Sequence, residues 1–216
     1  MILSRLPLCV FLFAALLSYQ ESVAAALDSL VLQGILDLDV PSGSSDGKAL
    51  HFLAVEDVDD LSQYGIGTAN NGGGTDGQEF TFPSGTLDEG QHLLLARSTA
   101  AMSAYFGACI AEFNVVMEAS TAVNQNGDDA IELFFQEEVI ETYGDADTDG
   151  SGESWEYSDS WSFKAEDGSW TVGGLGCSTA ATTEESACPY PLCEESEGIP
   201  GCMEATACNY DAEATV

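Results

Sequence analysis

From about Leu27 to Gly176 the chain is a succession of short apolar runs broken by turn residues, and this punctuation decides what it can fold into. "LVLQGILDLDV" has leucines at alternate positions around Gly34, and "KALHFLAVED" follows a "PSGSSDG" turn. "QEFTFP", "QHLLLAR", "NVVMEA", "AIELFF", "EEVIETYG" and "SWEYSDSWSF" continue the series. Most are rich in β-branched or aromatic residues and are bounded by Gly, Asp, Asn or Pro, as strands are. Only "STAAMSAYFG" has a helical face, formed by Met102, Tyr105 and Phe106. About nine strands and one short helix predict an all-β fold, an antiparallel β-sandwich. A parallel α/β fold is disfavoured because the crossover helices are missing.

The two ends differ from this middle. Arg5 followed by "LCVFLFAALL" and the small residues Ala24-x-Ala26 has the layout of a secretory signal peptide over residues 1–26. Its apolar run is short for a membrane span, and no later run is longer. Residues 27–176 then form the sandwich, and residues 177–216 a cysteine-bearing tail that holds three of the six prolines and little apolar periodicity. Cys9 falls in the signal, which leaves Cys109, Cys177, Cys188, Cys193, Cys202 and Cys208. Cysteines at this density in an exported chain read as disulfides, whose pairing the sequence alone does not fix. Zinc is the competing reading, but neither Cys188/Cys193 nor Cys202/Cys208 is a tight pair, and no histidine lies nearby.

Charge narrows the partners. The chain has 37 acidic and 4 basic residues, a net charge of −33. Such a surface repels phosphate, so nucleic acid is excluded without a bridging metal, and an anionic lipid surface is disfavoured for the same reason. Divalent cations or a high-salt medium suit it better. Hydrophobic residues still make up 45% of the chain, enough for a packed core.

Two resemblances follow from longer motifs. "DLSQYGIGTANNGGGTDGQEFTFPSGTLDEGQHLLLA", then "FG", "NGDDAIELF" and "DTDGSGESWEYSDSWSF", resembles the lamin-tail-like domain of bacterial and algal secreted proteins, over residues 29–165. That resemblance implies an immunoglobulin-like β-sandwich, often found beside extracellular nuclease, phosphatase or surface-anchoring domains. The family's basic residue after the last aromatic strand is met here by Lys164. The strand of His51 departs from relatives, which tend to carry a carboxylate there. "GCMEATACNYDAEATV", residues 201–216, is similar to a cysteine repeat of secreted marine-microbial proteins, "GCTDPTACNYDPTAT…DDGSC". The similarity implies a partial repeat whose acidic stretch and closing cysteine would follow Val216.

Several segments carry possible chemistry. His51 and His92 lie within strand-like runs without a serine or cysteine partner motif, and read as strand-borne polar residues facing solvent or a neighbouring strand. No G-x-S-x-G, H-E-x-x-H or P-loop pattern occurs. With Arg5 removed, only Lys48, Arg97 and Lys164 remain to meet a scissile phosphate, so a non-catalytic role is expected. The strongest pattern is "DADTDGSGESWE". Asp145, Asp147, Asp149, Ser151, Glu153 and Glu156 have the spacing of a calcium-binding EF-hand loop, with Gly150 at its sixth place. The flanking segments read as strands rather than helices, so the alternatives are a calcium loop grafted between strands and a hydrated acidic β-turn.

Trp155, Tyr157, Trp161, Phe163 and Trp170 form an aromatic stripe, the first four alternating onto one sheet face. They read as core, with Glu156, Ser158, Ser160 and Ser162 on the solvent face, or else as a sugar-stacking platform. "ANNGGGTDG" reads as a flexible loop open to partner contact. The function expected is a secreted, non-catalytic binding or surface-display module for an extracellular protein or polysaccharide, with calcium as its ion. The alternatives are the accessory domain of an extracellular nuclease or phosphatase, and a calcium-dependent carbohydrate-binding module.

Overall fold

The computed structural model describes residues 29–193. The candidate signal peptide, Cys202, Cys208 and the partial repeat at 201–216 lie outside them. Two sheets hold the strands β1 (Leu30–Leu38), β2 (Gly47–Ala54), β3 (Tyr64–Ala69), β4 (Phe80–Thr81), β5 (His92–Ala96), β6 (Val115–Glu118), β7 (Ala130–Phe135), β8 (Glu138–Tyr143), β9 (Ser160–Lys164) and β10 (Trp170–Val172). One sheet is six-stranded in the order β10-β9-β1-β2-β5-β6, and the other four-stranded in the order β4-β3-β7-β8. The helix α1 (Thr99–Phe106) connects β5 to β6 and lets β6 lie parallel to β5, while the other pairings are antiparallel. Ser98 caps this helix by accepting from the Ala101 N–H at 3.3 Å, and Met102, Tyr105 and Phe106 are its buried face. Among the described residues no helix is long and apolar enough to cross a membrane.

The sheets enclose one core and the six-stranded sheet carries a second on its outer face. Leu32, Ile35, Leu50, Phe52, Ile66, Leu93, Leu133 and Tyr143 pack between the sheets. Leu36, Ala49, Leu94, Met102, Phe106, Trp161 and Tyr190 pack beneath α1 and the segment after β10. A slip of one residue flips a strand's faces, and β1 uses this. A bulge between Leu32 and Gly34 shifts its register, so Leu30, Leu32 and Ile35 face the inner core whereas Leu36 and Leu38 face the outer one.

Three expectations change here. The aromatic stripe does not share one face. Strand pairing begins only at Ser160, and Asp159 has a φ of 48°, which breaks the alternation. Tyr157 therefore enters the inner core, with Trp155 and Trp170 packed against it, while Trp161 and Phe163 join the outer one. Ser160 and Ser162 are fully buried rather than solvent-facing; Ser162 pairs with the Tyr143 hydroxyl.

Residues 177–193 form a strap over the outer face. The Thr183 N–H donates to the Tyr105 carbonyl at 2.9 Å, and Trp161 Nε1 donates to the Cys188 carbonyl at 2.9 Å. Disulfides join Cys177 to Cys188 and Cys109 to Cys193. The third change is "ANNGGGTDG", which is pinned rather than open. Asn71 N–H donates to Asp129 at 2.9 Å, and Gly74 N–H to the Ala146 carbonyl at 2.9 Å. The loop crosses the outer face of the small sheet, where Gly65 and Gly67 leave room for the Gln78 side chain and the Gly77 carbonyl.

Candidate functional site

The acidic loop between β8 and β9 winds around one indole ring. Cβ atoms at Gly144 and Gly150 would lie 2.8 Å and 2.5 Å from Trp155 ring carbons, so glycine lets the backbone close on it. The carboxylates brace the turns. Asp145 accepts from Asp147 N–H at 3.0 Å and from the Thr148 hydroxyl at 2.9 Å; Asp149 accepts from Ser151 N–H at 2.9 Å. Glu156 accepts from Gly152 N–H at 2.7 Å and from the Ser158 hydroxyl at 3.1 Å. Side chains that hydrogen-bond their own backbone two residues on are what make Asp favoured in turns. Asp145, Asp147, Asp149, Ser151 and Glu153 are exposed. Among the described residues no three His, Cys, Asp or Glu side chains are grouped as they would be to hold a metal ion.

The fold adds acids that the loop's spacing did not reveal. Gly150 N–H donates to the Asp128 carbonyl, and Tyr157 Oη donates to the Asp129 carbonyl, each at 2.9 Å. This brings the "GDDA" segment against the loop. Burial, then the charges of Asp129, Asp149 and Glu156, push the Asp128 carboxyl pKa up, and its Oδ1 has no hydrogen-bond partner. Under the pinned loop Glu132 is buried; it accepts from the Thr75 hydroxyl at 2.6 Å through Oε1, while Oε2 has no partner. Adjacent aspartates after a glycine turn were the only sequence sign of this convergence.

Every basic side chain among the described residues is used inside the fold. Lys48 pairs with Asp37 at 3.2 Å and donates to the Gln125 carbonyl. Lys164 pairs with Glu141 and lies 5.1 Å from the centre of the Trp170 ring. Arg97 donates to Asn124 at 2.7 Å and to the Val123 carbonyl at 3.3 Å. Burial raises the Asp37 pKa, partly offset by Lys48, as desolvation of a carboxylate does. Lys48 and Lys164 are thus matched by carboxylates, whereas half-buried Arg97 meets neutral oxygens.

The histidines sit elsewhere, on the outer face of the six-stranded sheet. His51 is fully buried, with Nδ1 2.8 Å from the Tyr190 hydroxyl and Nε2 2.8 Å from His92 Nδ1. The pair is of strand histidines facing neighbouring strands, and its third member, Tyr190, comes from the strap. No protein-family model, curated protein or solved structure matches the chain.

Proposed function

We propose that this protein is a secreted, non-catalytic binding or surface-display module, an immunoglobulin-like sandwich of the lamin-tail-like kind. The observation that supports the reading is the disposition of charge: Lys48, Arg97 and Lys164 are all engaged within the fold, while the carboxylates of the 145–153 loop stand in solvent. A field of one sign attracts cationic partners and repels phosphate and polyanions. Both histidines belong to a packed, hydrogen-bonded chain rather than to a nucleophile–base pair. The ligand class favoured is thus a basic extracellular protein or a polysaccharide bridged by divalent cations. The calcium reading of Asp145, Asp147, Asp149, Ser151, Glu153 and Glu156 rests on their spacing.

The test is surface-binding of the full chain to immobilised polylysine and to heparin at low and high salt, beside hydrolysis assays on generic phosphodiester and ester substrates. Salt-sensitive retention on polylysine alone, with no turnover, is the expected result. Turnover by the purified chain, or retention on heparin without added metal, would overturn the proposal.

A further inference from the structure

Three rings join the strap to the sheet. Tyr190 is fully buried among Phe106, Trp161 and Phe163, with ring centroids 5.7, 5.9 and 5.5 Å away. Its hydroxyl meets His51, which meets His92, and His92 is half-buried at the end of β5. Hydrogen-bond accounting sets the direction. When Tyr190 donates to His51 Nδ1 and His51 Nε2–H donates to His92 Nδ1, every hydrogen between the rings has an acceptor. The reverse order leaves the buried Tyr190 hydrogen with none.

In that arrangement each imidazole has a single lone pair, and both are occupied. A proton added to either ring breaks one of the two hydrogen bonds or, by a tautomer shift on His51, reverses both and leaves the buried Tyr190 hydrogen without an acceptor. Around His51 the surroundings offer it no compensation. β2 places His51 opposite Gly34 of β1, which has no side chain; β5 contributes His92 and the strap contributes Tyr190. Phe113 and Phe163 lie 5.0 and 6.1 Å from the His51 ring. Burial pushes the His92 pKa down, and the Glu112 carboxylate works against it by favouring the charged form. Burial, with the charge of His92 added, holds the His51 pKa well below its ordinary value.

We propose that the Tyr190–His51–His92 chain is an acid-sensitive latch: proton uptake by the histidine pair breaks the chain or strips the Tyr190 hydroxyl of its acceptor, and lets the strap 177–193 lift from the sheet. The disulfide from Cys193 to Cys109 keeps the lifted strap tethered, so the change is a local opening. The sign follows from linkage. A histidine neutral when folded and ordinary when open contributes stability that is whole above its ordinary value of 6.5 and lost as pH falls below it. Each pH unit below that value multiplies the open population about tenfold for His51 alone, until the folded pKa is reached. Buried carboxyls with raised pKa, such as Asp37 and Asp128, act in the opposite direction.

Hydrogen exchange of the full chain between pH 7.5 and 5, corrected for intrinsic rates, tests the latch. Amides of Ser178, Thr183, Tyr190 and Cys193, each with an acceptor in the closed state, report the strap; those of β3 and β7 are the reference. Strap protection should fall more than tenfold per unit below pH 6.5, because both histidines take up protons on opening, while the reference holds. His51→Gln, which can still accept from Tyr190, should leave at most the shallow slope of His92; His92→Gln, at the half-buried end, should reduce the fall to about tenfold per unit without harming the fold. Flat strap protection across this range, an equal fall in β3 and β7, or an unchanged slope in His92→Gln would each overturn the proposal.

Discussion

The sharpest consequence of this packing is a pair of substitutions that should compensate. Gly34 has an ordinary strand φ, so alanine is allowed there by the backbone, yet its Cβ would stand 1.8 Å from Tyr190 Oη. Tyr190 has nowhere to retreat, because it is ringed by aromatics and lies between Cys188 and Cys193, both in disulfides. Overpacking of this kind costs about 1–3 kcal/mol, and pushing the hydroxyl off His51 adds about 1–3 more. Removing a strand glycine returns roughly 0.5–1 kcal/mol, so Gly34→Ala alone should cost about 3 kcal/mol, the middle of a summed range of about 1–5 kcal/mol.

Tyr190→Phe alone leaves His51 Nδ1 unpaired and should cost about 1–3 kcal/mol. The combination is the informative case. Without Oη the nearest atoms to the new methyl are Tyr190 Cζ at 3.0 Å and the Ser162 carbonyl at 3.3 Å, which a small shift relieves. In the Tyr190→Phe background, Gly34→Ala should therefore cost no more than about 1 kcal/mol, giving a coupling of about 1–3 kcal/mol. Guanidinium unfolding of the disulfide-intact chain, followed by tryptophan fluorescence, measures all four corners of the cycle. Costs that add within about 0.5 kcal/mol would show that Gly34 is not there to admit the tyrosine hydroxyl.

Three further outcomes are expected. Glu141→Ala removes the carboxylate that binds both Leu32 N–H, at 2.8 Å, and Lys164; it should cost about 2 kcal/mol in denaturant, more than Lys164→Met, whose stem can still cover Trp170. Replacing Cys109 and Cys193 by serine opens a separation of 84 residues and should lose about 4.5 kcal/mol, against about 3 kcal/mol for Cys177 and Cys188 with their separation of 11, as unfolding of each variant will report. Calcium at a hundredfold excess over its Kd should stabilise the chain by about 2.7 kcal/mol if the acidic loop holds it, and the gain should vanish in Asp145→Ala/Asp149→Ala; identical melting curves with calcium and with chelator remove the ion from the proposal.

Much of the sheet architecture was legible because alternation is a local signal. Leu50 and Phe52 of β2 face one core while Ala49 and His51 face the other way, a period-2 pattern visible in "KALHFLA". The same reasoning failed where a single residue reset the phase. The bulge at Gly34 and the positive φ of Asp159 each turn the following side chains over, and neither announces itself in composition. The strap was harder still. Its polar, proline-bearing sequence hides one large side chain, Tyr190, whose burial depends on a vacancy at Gly34 more than a hundred residues upstream. At the acidic loop, spacing pointed to the segment but not to its neighbour Asp128, which precedes β7 and meets the loop through the Gly150 N–H.

The bond between Cys109 and Cys193 also orders events in time. A chain emerging from its N-terminus has every strand of both sheets in hand once Val172 appears. Until residue 188 follows, the Trp161 indole N–H has no Cys188 carbonyl to meet; until 193 follows, Cys109 has no thiol to join. For that interval a finished sandwich carries a half-clad greasy flank, so a stop codon between positions 173 and 188 would yield a protein that folds yet sticks to its neighbours.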